Sequence, residues 1–118
     1  MNDLILVGKH EDVKAEIIDD GQNARGVEKR VLIGLKEGAP NYIMRHFKIK
    51  AGGFTPNHAH PWEHEVYILK GNGILKTSEG EKPIKGGDYV FVPPNELHQF
   101  CAEGGAIEFI CVIPKYGQ

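Results

Sequence analysis

The sequence is a succession of short apolar runs, and glycine or proline interrupts it every few residues. Isoleucine and valine account for 20 of the 118 residues, and glycine and proline account for 22. Branched side chains pack well on a pleated sheet, whereas proline cannot donate to a strand ladder and glycine tolerates turn conformations. Short strands between turns therefore predict an all-β fold, a sandwich or barrel. The predicted strands cover residues 30–36, 42–50, 58–60, 64–70, 74–77, 84–85, 89–92, 97–101 and 106–113.

The segment before these strands carries the weakest pattern. Residues 11–28 form the least apolar stretch, with a turn or loop expected at residues 19–23, and we interpret it as the least regular part of the chain. A helical spacing of apolar residues occurs only at residues 13–18, where it is weak. Because the sequence contains no internal repeat or linker, its length predicts one domain over residues 1–118.

Charge and cysteine content exclude several functional classes. The formal net charge is −2, so the chain has no basic field for a nucleic-acid backbone. No run approaches the roughly 18 apolar residues of a membrane helix. The apolar run at residues 4–7 is too short for a signal peptide, and two cysteines are too few for a disulfide framework. We therefore expect a cytoplasmic protein that binds neither nucleic acid nor membranes.

Four of the six histidines fall where predicted strands meet turns: His58, His60, His64 and His98. His58 and His60 are two residues apart, so on a strand both rings point to one face, about 7 Å apart along the chain. Scattered histidines more often lie at the surface or in satisfied hydrogen bonds. Three within seven residues, bracketed by glycine and proline, instead favour a metal site.

The spacing of these residues resembles the two sequence motifs of the cupin family, over residues 52–102. The first motif is matched by Gly52, His58, His60, His64 and Gly71, with His64 in the place of the usual glutamate. The second motif is matched by Gly87, Pro93 and His98, with Asn95 where glycine is usual and Ala102 where asparagine is usual.

Three further stretches, residues 30–36, 60–65 and 111–115, resemble small one-domain cupins with a four-histidine manganese site. The resemblance implies a β-sandwich or jelly-roll barrel, also called a double-stranded β-helix, that closes around the metal. It also implies a homodimer, which would cover the edge of the run at residues 31–35. The implied metal ligands are His58, His60, His64 and His98.

A different residue could be the third ligand, because the family tolerates either three or four residues between its second and third ligands. Glu65 would then replace His64, but the distance to Gly71 would be one residue too short. Residues 64 and 65 also point to opposite faces of a strand, so only one of them can face the metal. This parity favours His64.

Four neutral imidazoles leave the double positive charge of an ion intact. The ion is then a stronger Lewis acid than it would be in a site where one ligand is a carboxylate. Ligand type alone does not select the metal, because imidazole suits iron, nickel, copper and zinc. Four histidines would close the shell of a zinc ion and make that site structural. Manganese is implied by the resemblance, with iron next, and zinc, nickel, copper and cobalt stay open.

Four other residues are candidates for the pocket. Phe109 and Cys111 share one face of the last predicted strand, and Arg45 shares the face of Ile43, Phe47 and Ile49. Phe109 and Cys111 are equally consistent with ordinary core packing, and an exposed Arg45 is the more usual outcome. Trp62 follows Pro61 at the predicted mouth, as a lid or a dimer contact. His10 and His46 have no motif around them and receive no role.

These features predict a metal-binding cupin that acts on a small organic molecule as a manganese- or iron-dependent dioxygenase or a peroxide-dependent oxidase. Because one fold hosts many chemistries, two alternatives stay open. One is a non-catalytic module that binds a small ligand or a metal. The other is a cupin isomerase or decarboxylase. The sequence does not decide whether the protein is an enzyme.

Overall fold

The computed structural model describes residues 5–117, and these form antiparallel β structure without an α-helix. Three short 3-10 helices occur, at His10–Asp12, Leu35–Glu37 and Lys115–Gly117. The strands are β1 (Glu16–Ile18), β2 (Arg25–Ile33), β3 (Tyr42–Phe54), β4 (His64–Lys70), β5 (Asn72–Thr77), β6 (Gly80–Lys85), β7 (Tyr89–Val92), β8 (His98–Ala102) and β9 (Ile107–Pro114).

The strands form one curled sheet in the order β6-β5-β8-β3-β9-β4-β7, with β2 and then β1 added at β3. Every pairing is antiparallel. The long strand β3 pairs with β2, β8 and β9, so it joins the two halves of the sheet. The all-β barrel predicted from the sequence is confirmed.

The core lies inside this curl and follows the alternation of the strands. On β9, Ile107, Phe109, Cys111 and Ile113 are all buried and point to one face. Phe109 stacks on Phe47 of β3, with 5.1 Å between the ring centroids. The inner faces of β3 and β9 thus form the wall of the barrel interior.

Two sequence-based expectations near the N-terminus are wrong. Residues 13–18 are not helical, because strand β1 pairs with β2 there through Ile17 and Glu28. The strand expected at residues 30–36 begins five residues earlier and ends at Ile33, where Gly34 leads into a 3-10 helix. Pairing with β3 therefore outweighs the weak local pattern of this segment.

The strand predicted at residues 42–50 extends further than expected, through the glycine pair at residues 52–53. The strand continues to Phe54, which pairs with Arg25 of β2. A side chain at Gly53 would collide with the Arg25 and Lys50 carbonyl oxygens. This glycine marks a close approach of two backbones rather than a turn.

No helix in residues 5–117 is long and apolar enough to cross a membrane. The apolar run at residues 4–7 begins at Leu4, which lies outside the described residues, and continues through exposed side chains.

Candidate metal centre

The four histidines of the sequence motifs come together at one end of the barrel interior. His58 and His60 follow β3, His64 is the first residue of β4, and His98 is the first residue of β8. The ring centroid of His58 lies 4.2 Å from that of His60 and 5.0 Å from that of His98. The His64 ring lies 4.7 Å from the His98 ring. We call this group the cavity histidines.

Backbone hydrogen bonds bring the two motifs into register. The His58 amide donates to the His98 carbonyl at 3.2 Å, and the His98 amide donates to the His58 carbonyl at 3.0 Å. The Asn95 amide donates to the His60 carbonyl at 2.6 Å. Asn95 has a φ of 68°, in the left-handed region that asparagine tolerates better than most residues. Asparagine can therefore stand at a position where the family usually has glycine.

Three of the cavity histidines, His58, His60 and His98, place donor nitrogens close enough together for one divalent metal ion. One nitrogen from each of His58, His60 and His98 lies within 4.8 Å of the others. His98 Nδ1 donates to the Glu96 carbonyl at 2.9 Å, which leaves the lone pair of Nε2 for a ligand. His64 Nδ1 is buried and has no hydrogen-bond partner among the described residues. Ligation of a metal by these four side chains stays a prediction.

Burial favours the neutral form of each of these rings. It lowers the pKa of His58 to about 4 and that of His64 to about 3. The pKa values of His60 and His98 are also lowered, first by burial and further by the Arg45 charge. The rings are thus neutral near pH 7, which is the form that can bind a metal.

The structure separates His64 from Glu65 as strand parity requires. His64 is buried at 5% exposure beside the other rings, whereas Glu65 lies on the outer face and is exposed. The Glu65 backbone pairs with the backbones of Phe91 and Val112, and the side chains of residues paired in this way share one face of the sheet. The geometry is consistent with His64 as the third ligand, and Glu65 does not face the cavity histidines.

A cavity of about 320 Å³ opens beside the cavity histidines. Arg45 points into it, although an exposed arginine is the more usual outcome. Its Nη2 atom donates to Cys111 Sγ at 2.9 Å, and its guanidinium carbon lies 5.1 Å from the Phe47 ring centroid. The Arg45 Nε atom is buried and has no partner among the described residues. The cavity wall therefore contains a half-buried positive charge with a free hydrogen-bond donor.

The other three pocket candidates also line this cavity. Phe109 and Cys111 form part of its inner wall, and burial raises the pKa of the Cys111 thiol despite the nearby arginine. Cys111 is therefore a protonated thiol near pH 7, not an activated nucleophile. Trp62 lies flat on His60, with 4.5 Å between the ring centroids, and its other neighbour is Tyr116. Its indole Nε1 has no hydrogen-bond partner in the described part of the chain.

Two groups of residues near these sites could not be predicted from the sequence. Lys29 and Thr55 line the cavity, and only the pairing of β2 and β8 with β3 places them there. His10 and His46, which had no motif, meet Glu108 on the outer face of the sheet. The alternation along β3 predicts that His46 faces away from Arg45, but nothing local links it to His10.

The model of the cupin domain family matches residues 45–113, more than half of the chain. This chain belongs to the cupin family. The match contains all four cavity histidines as well as Arg45 and Cys111. The resemblance to small one-domain cupins is thereby confirmed.

Several cupins of known structure or curated name are similar to the whole chain. The polyketide cyclase RemF from Streptomyces resistomycificus is 32% identical, with a TM-score of 0.86, 94% of this chain covered and 80% of that one. The oxalate-binding protein of Thermotoga maritima is 28% identical over 92% of this chain and 93% of its own length. A predicted oxalate decarboxylase from the same species is 27% identical, with a TM-score of 0.81 and coverage of 93% and 99%. The comparisons therefore include proteins named for quite different activities.

Proposed function

We propose that this cupin is a metal-dependent enzyme acting on a small organic molecule with an anionic oxygen, such as a carboxylate or an enolate. The observation that carries this proposal is the cavity itself. Its wall combines four neutral imidazoles with one half-buried guanidinium, and its remaining surface is mostly apolar. Such a site can hold a metal at one point and an oxyanion beside it.

Arg45 supplies the oxyanion site. Its charge is permanent, and its Nε atom lacks a partner among the described residues. An unpartnered buried donor costs free energy, and an incoming carboxylate oxygen would remove that cost. The name of the Thermotoga oxalate-binding protein supports a carboxylate as the group that is bound.

The apolar wall sets the size of the rest of the substrate. A cavity of about 320 Å³ falls at the lower end of the range that ligand pockets of proteins occupy. A molecule of a few atoms would leave the rings of Phe47, Phe100 and Phe109 uncovered. We therefore propose a substrate with an apolar ring or chain that packs on these phenylalanines, while Trp62 limits the access of water.

The cavity histidines would hold the ion, with manganese expected first and iron next. Bound there, a divalent ion supplies a Lewis acid, and manganese or iron also supplies a redox centre. The four imidazoles add no negative charge, so the substrate oxyanion meets the undiminished positive charge of the site. Arg45 would donate to the oxyanion from the cavity wall, beside the histidines that would hold the ion.

Two reaction classes follow from this geometry. No aspartate or glutamate lies among the described residues that line the cavity, so no carboxylate is placed to act as a general base. This supports oxidation by dioxygen or peroxide, the reaction predicted from the sequence. The alternative is cyclisation, decarboxylation or isomerisation assisted by a Lewis acid, which the names of RemF and the predicted Thermotoga decarboxylase support.

One experiment separates these classes from each other and from a binding module. Untagged protein loaded with manganese or iron is incubated with aryl carboxylates, β-diketones and catechols, with dioxygen, with hydrogen peroxide under nitrogen, and with neither oxidant. Product coupled to the consumption of dioxygen or peroxide supports a dioxygenase or an oxidase, and product with neither oxidant supports the alternative. Tight binding of these compounds without turnover, for either metal, would contradict the enzyme and leave a non-catalytic binding protein.

We also propose that the chain forms a homodimer. Tyr67, Tyr89 and Phe91 are exposed neighbours on the outer face of β4 and β7. An aromatic patch of this kind is typical of an interaction surface. Light scattering at micromolar concentration should give twice the chain mass of 13.1 kDa, and the variant Phe91→Asp should shift it to the monomer. A monomer mass for the unaltered chain would contradict the proposal.

A further inference from the structure

A second cluster of metal-binding side chains lies outside the cavity, on the outer face of the sheet. It consists of His10, His46 and Glu108, and we call it the outer cluster. His46 comes from β3 and Glu108 from β9, and both are buried, at 1% and 9% exposure. His10 begins the first 3-10 helix and is exposed. The cluster therefore joins the N-terminal segment to the middle of the sheet.

The atoms of the outer cluster are spaced as metal ligands are. One ligand atom from each side chain lies within 4.8 Å of the others. His46 Nε2 lies 3.1 Å from Glu108 Oε1. In a tetrahedral zinc site with bonds of 2.0–2.1 Å, neighbouring ligand atoms are about 3.3 Å apart. The His46–Glu108 pair already has this separation without an ion.

The hydrogen bonds around His46 are incomplete. Its Nε2 atom contacts Glu108, but its Nδ1 atom is buried and has no partner among residues 5–117. A buried polar atom without a partner is rare in native structures. Local hydrogen bonds therefore do not fully account for the burial of His46. An ion at Nε2 would leave Nδ1 unchanged, so the spacing of the three ligand atoms is what supports a metal site here.

We propose that the outer cluster is a second metal site, which takes a divalent transition-metal ion of the zinc class through His10, His46 and Glu108. Two imidazoles and one carboxylate are a common zinc set, and water completes the shell. The His10 ring is stacked on the His46 ring, with centroids 4.2 Å apart and planes at 16°. Because imidazole lone pairs lie in the ring plane, the exposed His10 ring turns out of the stack when the ion binds.

The two sites are independent of each other. Residues alternate between the faces of β3 and β9, so His46 and Glu108 point away from the cavity that Arg45 and Phe109 line. An ion in the outer cluster would tie residues 10–12 to the sheet, since His10 is the only one of the three ligands outside the strands. We infer a role in holding the N-terminal segment rather than in the reaction.

Lys70 competes with the ion for Glu108. Its Nζ atom lies 3.2 Å from Glu108 Oε2, and the lysine side chain is 75% exposed. Removing this charge leaves the carboxylate without a counterion except for the metal. The variant Lys70→Met is therefore expected to bind zinc about tenfold more tightly, and weaker binding would overturn direct ligation by Glu108.

The test measures zinc with the cavity site disabled. Untagged His58→Ala/His98→Ala protein is stripped with EDTA, dialysed and titrated with Zn²⁺ by calorimetry, and bound zinc is counted by elemental analysis. We expect one zinc per chain. Adding His10→Ala should weaken binding by about 10- to 100-fold, the scale that even supporting residues of metal sites reach. Lys9→Ala, in the same exposed segment, is the matched control and should bind as the parent does.

Absence of zinc from the His58→Ala/His98→Ala protein would overturn the proposal, as would binding that His10→Ala leaves unchanged. If the double variant fails to fold, the unaltered chain and its His10→Ala variant are compared in the same way. His10 is exposed, so this substitution should not disturb the fold. One of the zinc ions must then bind about 10- to 100-fold less tightly in the variant than in the unaltered chain, and unchanged affinity for every zinc ion would contradict the second site.

Discussion

The cavity histidines and the outer cluster lie on opposite faces of the same sheet, and they differ in charge. Burial lowers the pKa values of the cavity histidines and that of His46 in the outer cluster. The cavity has no carboxylate among its described lining residues and contains Arg45, so an ion there keeps its full charge beside an open space. The outer cluster contains Glu108, which cancels part of that charge, and it is closed by Lys70 and His10. The arrangement in the cavity suits a reaction of a bound molecule, and that of the outer cluster suits attachment of the N-terminal segment to the sheet.

The largest expected effect is loss of the cavity ion. The change His58→Ala/His98→Ala removes two of the four imidazoles, and we find no other cavity side chain among the described residues that could replace them. Manganese content measured by elemental analysis should fall from one per chain to near zero, and turnover should fall with it. His10→Ala should leave the manganese content unchanged. Full manganese content in the double variant would refute the cavity site.

The next effect concerns the substrate rather than the ion. Arg45→Met should weaken the binding of a carboxylate ligand by about 10- to 100-fold, because a hydrogen bond to a charged group is worth about 1.5–3 kcal/mol. Manganese content should stay at one per chain. Arg45→Lys keeps the charge without the planar donors. Its affinity for the carboxylate, measured by calorimetry, should lie between those of the unaltered protein and Arg45→Met. Equal affinities for all three proteins would show that the oxyanion binds elsewhere.

A smaller effect tests the charge difference between the two regions directly. His64→Glu introduces into the cavity a carboxylate like that of the outer cluster, at a buried strand position. We expect the metal to stay bound and the rate with dioxygen or peroxide to change, because the added negative charge lowers the potential of a redox metal. Glu65→Ala, on the exposed face, is the control and should alter neither. Metal loss in the control and no change in His64→Glu would reverse the ligand assignment.

The smallest expected effect is on the stability of the metal-free protein. His58 and His64 have folded-state pKa values of about 4 and about 3, against 6.5 for a free imidazole. Below pH 6.5 the unfolded chain binds more protons than the folded one, so the free energy of unfolding falls as the pH falls toward 5. Thermal melts of EDTA-treated protein should show a midpoint that declines over this range. The midpoint of the His58→Gln variant should decline less over this range. A steeper decline in the variant would contradict the predicted direction of the pH dependence.

Several features could be predicted from neighbouring residues alone. Alternation along β9 placed Phe109 and Cys111 on one face of the strand, and the structure buries both. The same period separated His64 from Glu65. These predictions succeeded because the direction of a side chain on a strand depends only on its parity. Local pattern was insufficient at Gly53, where a glycine serves a close backbone contact instead of a turn.

The sequence alone thus determined the strand-rich class, the inward faces of the strands and the spacing of the histidine motifs. Only the tertiary structure decided which distant residues meet. His98 lies 40 residues after His58 but pairs with it through two backbone hydrogen bonds, and His10 lies 36 residues before His46 but stacks on its ring. Strand register and chain connectivity determine these contacts, and both depend on the whole sheet. The cavity around Arg45 and the outer cluster around Glu108 exist for that reason.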